Sequence, residues 1–442
     1  MNTLTLRFKK QEEIGLKMLK RVLSVILLLT VFLTGCSANG SGSNASDKQG
    51  SGKPTTIKFW YPASDDLVIT EVKKVVAKFE QENPTIKVEL TTIPFKDYTQ
   101  KLSIAYSGGI APDVHGLGFG QLISTVDQNK YINMSKFIEA DQWQGKDDIF
   151  PNILKAGQWN GGQYGLLMPE IRPMEWRKDF FKEAGLDTEK PPATLEELFD
   201  YAEKLKVVKD QKTVRAGIDL SVTNGEQAYL SLLLLLGKDI YDENGNPTFD
   251  SPESIQLVEK MVKLFKDGAV INSDGLDPNG TPFRNSLAAI GFSSSPSLAI
   301  LQKGVGADKI GWSLPPKGPN GTRTSLMLGT FMTMSKSTKY ADESWKFIKF
   351  WYDKDNLYNF SLVTGYVPPF KSVKDQYVKV APENEVIFQA MEDARGYSPS
   401  KYWDVNVKYL RLALEQSYTG FKPVDQALKE NAQKARDEIK TK

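Results

Sequence analysis

Strands and helices alternate where the apolar part of the sequence begins. Residues 56–64 (TIKFWYPAS) predict a short strand, and residues 65–84 place their apolar side chains on one helical face. Residues 85–94 alternate apolar and polar side chains, as a half-buried strand does. A second helix and a third short strand, residues 113–119, continue the pattern. Such alternation is typical of a parallel sheet covered by helices, so we predict an α/β fold.

Clear helix boundaries occur in the middle of the chain. Thr194 precedes Glu197 by three residues, the capping-box spacing, and Ser251 begins another helix that Gly268 ends. Residues 229–236 contain five consecutive leucines; this run is too short to span a bilayer and predicts a buried helix. The C-terminal third predicts three further helices, at 340–353, 402–418 and 423–440.

Chain length and charge limit the organisation and the partners. The segment from residue 56 to 442 is long enough for two domains. The full chain has a net charge of +2, and loss of residues 1–35, with six basic and two acidic side chains, would leave −2. No block of basic residues is present in the sequence, which disfavours nucleic acid as a partner.

The N-terminal segment has the features of a secretion signal. An apolar run, 22–32, follows Lys20 and Arg21 and has the length of a signal-peptide core. The only cysteine, Cys36, comes directly after Leu33-Thr34-Gly35, which resembles the lipobox of bacterial lipoproteins. This resemblance implies a signal peptide at 1–35 and lipidation of Cys36. The alternative is an ordinary secretory signal with a chance cysteine.

The segment after Cys36 looks like a linker. Residues 36–55 are rich in Ser, Gly and Asn and contain almost no apolar side chains, so we predict a flexible tether. The true start codon stays open between Met1 and Met18, because Met18 precedes the basic residues at a more typical distance.

Few catalytic groups are available. The single histidine, His115, excludes a zinc-protease pair and leaves one candidate for a histidine-based triad. Its place in a strand favours packing over catalysis. No nucleophile elbow or phosphate loop occurs in the sequence. We therefore expect no enzyme, no metal and no cofactor, although two distant carboxylates of a glycoside hydrolase stay open.

Residues 242–253 (DENGNPTFDSPE) partly match a calcium-binding loop. Pro247 occupies the position where such a loop needs glycine, which favours a turn followed by a capped helix. Calcium stays an open alternative, with oxygen ligands available from Asp242, Asn244, Asn246, Asp250 and Glu253.

Several longer segments resemble one family in an ordered series. They include VAKFEQENPTIKVEL (76–90), the stretch from RKDFFKEAGLD to LFDYAEKL (177–205), IGWSLPPKGPNGTRTSL (310–326) and GYVPPF (365–370). The chain resembles the family 1 extracellular solute-binding proteins of bacterial ABC importers, the group that contains maltose-binding protein. The similarity covers nearly all of residues 56–442.

The resemblance implies a type II periplasmic-binding-protein-like α/β fold, with two lobes, a hinge and a ligand cleft. The implied limits are 56–169 plus 330–372 for the N-lobe and 170–329 plus 373–442 for the C-lobe. The protein would be a monomer, held to the extracytoplasmic face of the cell membrane by its lipid anchor alone. Its partners would be a small solute and the permease subunits of the importer.

Most members of the group bind sugars, which implies aromatic faces for C–H groups and polar side chains for hydroxyls. For each aromatic candidate the alternative is core packing, and for Glu170 it is an ion pair with Arg172. By position we expect ligand contacts from Trp60, Phe119, Glu170, Phe331, Arg395 and Trp403.

The predicted function is capture of a carbohydrate, in particular an oligosaccharide, by lobe closure and its delivery to a permease. Two alternatives stay open: a surface-anchored glycoside hydrolase, and a sensory or adhesion lipoprotein on the same fold. A non-sugar solute such as a polyamine, phosphate ester or peptide also stays open.

Overall fold

The computed structural model describes residues 54–220, 225–271, 281–295, 305–381 and 383–442. Lys53–Lys442 form one compact unit. The predictions for the signal peptide, Cys36 and most of the tether lie outside the described residues. The strands are β1 Thr55–Pro62, β2 Ile86–Ile93, β3 Val114–Gly118, β4 Gln158–Trp159, β5 Gly162–Gln163, β6 Leu166–Arg172, β7 Met174–Arg177, β8 Val207–Lys209, β9 Lys212–Ile218, β10 Ala288–Gly291, β11 Ile310–Ser313 and β12 Leu326–Met334.

The helices cover both sheets and dominate the C-terminal third. They span Asp66–Glu82, Phe95–Ser107, Leu122–Asp127, Ser135–Ala140, Gly145–Asp148, Pro151–Ala156, Lys178–Glu183, Leu195–Leu205, Glu226–Leu235, Pro252–Lys266, Ala341–Trp351, Lys354–Thr364, Lys374–Val380, Asn384–Asp393, Trp403–Tyr418 and Val424–Lys440. Short 3₁₀ turns occur at Phe119–Gln121, Ala307–Lys309 and Lys371–Val373. Among the described residues, no helix has both the length and the apolar character needed to cross a membrane.

Two five-stranded sheets organise the chain. The first has the order β2-β1-β3-β12-β6, and β1 pairs in parallel with both β2 and β3, which confirms the predicted parallel alternation. β12 then pairs antiparallel with β3 and β6. The second sheet has the order β11-β7-β10-β9-β8, and only its β10–β9 pair is parallel. Both sheets are therefore mixed rather than purely parallel.

Each sheet has its own hydrophobic core, and the fold is two-lobed. The first core packs around β1, β3, β6 and β12, and the second around β7, β9 and β10. The chain passes from the first sheet to the second between Arg172 and Met174 and returns between Ser313 and Leu326. We call the body around the first sheet the first lobe and the body around the second sheet the second lobe.

The last crossing falls later than the predicted limit at residue 373. Val373, Phe388 and Ala394 belong to the first core, whereas Tyr397 belongs to the second. Apolar faces of the helices Lys374–Val380 and Asn384–Asp393 are buried in the first lobe, which keeps this segment there. We therefore place the third crossing between residues 394 and 397.

Local helix signals are confirmed. The Thr194 hydroxyl accepts a hydrogen bond from the Glu197 N–H, and the Ser251 hydroxyl accepts one from the Ser254 N–H. Gly268 follows the second of these helices with φ of 80°, a left-handed conformation that glycine adopts without strain. The leucine run lies in the helix Glu226–Leu235, where nearly every side chain is buried.

Candidate functional site

A cleft of about 1110 Å³ is lined by side chains from both lobes. The first lobe contributes Phe95, Lys96, Thr99 and Gln121. The second lobe contributes, among others, Asp219, Glu226, Phe292, Ser293, Trp403 and Arg411. Arg172, the last residue of β6, lies where the chain passes between the lobes and also lines the cleft.

The sheet topology explains why these side chains meet. Phe95 follows the carboxyl end of β2, and Gln121 follows that of β3. Asp219 and Phe292 directly follow β9 and β10, which run parallel. Ligands of open α/β sheets bind outside the carboxyl ends of parallel strands, so both lobes direct their binding edges toward the same cleft.

The positive charge of Arg172 interacts with a carboxyl group from each lobe, Glu170 of the first and Asp219 of the second. Its Nη2 donates to Oε1 of Glu170 at 3.0 Å on the first-lobe side. On the second-lobe side, Oδ2 of Asp219 accepts the Phe283 N–H at 2.9 Å. Burial raises the pKa of Asp219, and the nearby Arg172 charge opposes that rise.

The carboxyl group of Glu175 is buried next to the cleft-lining Ser293. Glu175 has no exposed surface, and its Oε1 accepts the Ser293 N–H at 2.9 Å. Burial raises the pKa of Glu175 to about 8, and the hydrogen bond from the Ser293 N–H and the Arg172 charge offset only part of that rise. Glu175 is therefore mainly protonated at neutral pH.

An ion pair between Glu226 and Arg411 lies on the second-lobe wall of the cleft. Arg411 Nη2 donates to Glu226 Oε1 at 2.5 Å. Only 1% of Glu226 is exposed, whereas 45% of the Arg411 side chain is exposed. The pair therefore joins a buried carboxylate to a cation that reaches solvent.

Aromatic side chains lie on the same cleft. Phe95 is 52% exposed, and Phe292 and Trp403 are half-buried. The Trp403 indole packs against Gly120 of the first lobe and edge-on against Tyr397, at a ring-centroid distance of 5.5 Å. Trp403 therefore combines a cleft-lining position with a contact between lobes.

Three of the predicted site residues lie at or beside the cleft. Trp403 lines it, and Glu170 is bound to the cleft-lining Arg172. Phe119 packs against both cores and lies 5.4 Å from the Phe331 ring. The ligand contacts predicted for Trp403 and Glu170 therefore stay predictions. Phe119 packs at the junction of the two lobes.

The other three have different surroundings. Trp60 is half-buried against the first core, and the Phe331 side chain has no exposed surface. Arg395 is exposed, and its backbone bonds to Ser325 and Met327. None of these three side chains lines the cleft described above. The geometry favours core packing for Phe331, the alternative stated for it from the sequence.

His115 is a packed strand residue, as expected. It is fully buried, and its imidazole Nε2 lies 2.9 Å from the Tyr106 hydroxyl. Burial lowers the pKa of His115 to about 4, so the ring is neutral at physiological pH. It lies in the first core, away from the cleft-lining residues.

The segment 242–253 folds as a turn followed by the helix Pro252–Lys266. Asp242 Oδ1 accepts the backbone N–H groups of Asn244 and Asn246. Asp250 pairs with Arg436, and Glu253 pairs with Lys238. Its carboxylates thus face separate partners. Within the described residues, no group of three or more His, Cys, Asp or Glu side chains is placed to hold a metal ion.

Several cleft residues carried no recognisable signal in the sequence. Asp219, Glu226, Arg411 and Lys96 occur singly, far apart and outside any motif. Asp219 offered the one usable hint, because it directly follows a strand, where ligand contacts of α/β folds cluster.

Two α/β lobes with a polar cleft between them are typical of two-lobed binding proteins. Residues 74–387 match the family of bacterial extracellular solute-binding proteins. The chain belongs to that family, whose members are binding proteins, and the resemblance stated from the sequence is thereby confirmed.

Curated relatives match over most of the chain. A binding protein of Brucella abortus (strain 2308) is 25% identical over 382 residues, which cover 85% of this chain and 90% of the relative. The sn-glycerol-3-phosphate-binding periplasmic protein UgpB of Escherichia coli (strain K12) is 25% identical over 354 residues, 73% of this chain and 76% of its own.

Solved structures share the fold. An ABC transporter solute-binding protein of Thermotoga lettingae, bound with α-D-tagatose, superimposes with a TM-score of 0.76 at 20% identity over 87% of this chain and 99% of its own. The sugar-binding protein MalE of Xanthomonas citri gives a TM-score of 0.73 at 23% identity over 87% and 97%. The predicted two-lobed type II fold is confirmed.

Proposed function

We propose that this protein is the solute-binding subunit of an ABC importer and that its solute is a carbohydrate, in particular an oligosaccharide. The lobes close around the solute, and the closed form docks on the permease subunits. The observation that carries the proposal is the cleft itself, which joins exposed and half-buried aromatic rings to charged hydrogen-bonding groups from both lobes.

The cleft chemistry suits a sugar. Its volume of about 1110 Å³ lies just above the usual range of small-molecule sites, which favours a ligand larger than a monosaccharide. The aromatic rings of Phe95, Phe292 and Trp403 can cover the C–H faces of a sugar, while the charged side chains bind its hydroxyls. Relatives with bound tagatose and mannotriose support the same ligand class.

The charge balance disfavours a phosphate ester, although one relative is named for binding sn-glycerol 3-phosphate. Four basic side chains line the cleft, and four acidic ones accompany them. Arg172, Lys408 and Arg411 are each paired with a glutamate. A phosphate would compete with these glutamates for the three paired cations, whereas an uncharged sugar would not.

Cys36 anchors the protein through lipid on the extracytoplasmic face of the membrane, and residues 37–55 tether the binding body there as a monomer. In cells, Cys36→Ala is expected to move the protein from the membrane fraction to the soluble fraction. Cys36→Ala protein that stays in the membrane fraction would contradict lipid anchoring, with Ser37→Ala as the control.

Thermal melting of residues 53–442 against a solute panel tests the ligand class. The panel contains tagatose, mannotriose, maltotriose, sn-glycerol 3-phosphate and spermidine. A ligand at a hundredfold excess over its Kd adds about 2.7 kcal/mol to the free energy of unfolding. We expect this stabilisation from a sugar. Stabilisation by the phosphate ester or the amine alone would contradict the carbohydrate assignment.

A further inference from the structure

Some of the buried polar atoms that lack a hydrogen-bond partner belong to side chains of the cleft. Arg172 Nε, Glu226 Oε2 and Trp403 Nε1 are buried without a hydrogen-bond partner among the described residues, and all three side chains line the cleft. The buried hydroxyl of Tyr397 is likewise unpaired there, and its ring packs against Trp403. Such groups are rare in folded proteins, and a functional site is one of their recognised explanations.

Glu226 is the acidic side chain among these groups, and leaving one of its oxygens unpaired is costly. Its side chain is 1% exposed, and only Oε1 is bonded, to Arg411. A buried carboxylate oxygen without a donor carries an uncompensated desolvation cost. Glu226 also begins the helix Glu226–Leu235. One of its carboxyl oxygens is bonded to the Arg411 guanidinium, and the other can still accept a hydrogen bond.

The chemistry of these atoms specifies the ligand group. Glu226 Oε2 needs a donor, whereas Arg172 Nε and Trp403 Nε1 need acceptors. An ammonium group only donates, and a fully ionised phosphate only accepts. Hydroxyl groups do both, so ligand hydroxyls can satisfy both kinds of atom.

We propose that Glu226 is a specificity-determining residue that accepts a hydrogen bond from a ligand hydroxyl, at a subsite that Arg172 and Trp403 complete as donors. This inference rests on the proposed function and deepens it, because it assigns a hydroxyl-bearing part of the ligand to the second-lobe wall. The paired Arg411 neutralises Glu226 without occupying its second oxygen.

Glu226→Gln tests the subsite, with Glu196→Gln as the matched control. Glu196 also lies in the first turn of a second-lobe helix, but it is exposed and does not line the cleft. Titration calorimetry with the sugar that stabilises wild type most should show a Kd about 10- to 100-fold weaker for Glu226→Gln, the loss expected for a hydrogen bond to a charged group. Glu196→Gln should change Kd less than about threefold, as expected of an exposed charge outside the cleft.

The melting temperature without ligand shows whether the variant keeps its fold. We expect Glu226→Gln to melt near the wild-type temperature, because the glutamine oxygen can still accept the hydrogen bond from Arg411, whose side chain is 45% exposed. An unchanged Kd for the sugar would overturn the assignment of Glu226 while leaving the proposed function standing. Wild-type protein that responds to none of the sugars would instead overturn the proposed function, and the subsite with it.

Discussion

A methyl group at Gly120 would act as a wedge between the lobes. Gly120 lies in the turn after β3, and a Cβ there would lie 2.0 Å from Cε2 and 2.3 Å from Nε1 of Trp403 on the second lobe. Ordinary contact begins at 3.4 Å, so Gly120→Ala must separate the turn from the indole ring by about 1.4 Å. Overpacking of this kind costs about 1–3 kcal/mol.

That cost falls on the conformation in which the lobes touch at this point. If ligand binding needs that conformation, Gly120→Ala should weaken the Kd by about 5- to 150-fold, as a coupling of this size does. Titration calorimetry with the stabilising sugar measures the effect. The control is Gly118→Ala in the same segment, where the nearest atom to the new Cβ is Gln121 Oε1 at an ordinary 3.6 Å. Equal affinities for Gly120→Ala and wild type would refute the reasoning.

Three further predictions concern stability. Glu175 keeps its proton in the folded chain up to about pH 8 but loses it near pH 4.5 when unfolded, so wild-type stability should fall as pH rises through this window. Calorimetry should therefore show that the melting temperature of Glu175→Gln rises relative to that of wild type between pH 5 and pH 8. A difference between the two melting temperatures that stays constant over this range would contradict the raised pKa. Ser251→Ala removes a helix cap and should lower the free energy of unfolding in urea by about 0.5–2 kcal/mol, with Ser254→Ala for comparison. Phe331→Ala should cost about 3–5 kcal/mol of stability, and Phe331→Leu, also destabilising, should leave the sugar Kd unchanged. A Phe331→Leu variant of normal stability with weakened binding would restore the role in ligand contact that the sequence suggested.

Local chemistry explains why much of the fold could be predicted from sequence. Thr194, Ser251 and Gly268 mark helix ends through bonds or backbone angles set within a few residues. The leucine run needed no partner information, because a helix apolar on every face must be buried. The antiparallel pairing of β12 was not predictable this way, because its partners β3 and β6 lie far away in the chain.

The cleft could be predicted only in part for the same reason. The crossings of the chain between lobes bring four distant charged residues to one cleft: Arg172, Asp219, Glu226 and Arg411. Their spacing in the sequence does not predict this proximity. In sequence, Glu226 is an ordinary acidic residue of a first helical turn, and Arg411 an ordinary basic residue on a helix. Aromatic type alone does not separate the cleft-lining Trp403 from the buried Phe331, since both suit a sugar face and a core equally well.

Small-angle scattering of residues 53–442, with and without the sugar that stabilises them most, tests the central claim most directly. Closure of the lobes around a ligand in the cleft predicts a smaller radius of gyration in the saturated sample, and Gly120→Ala at the same sugar concentration should show less of that change. A saturated wild-type sample with the same radius of gyration as the ligand-free protein would contradict capture by lobe closure.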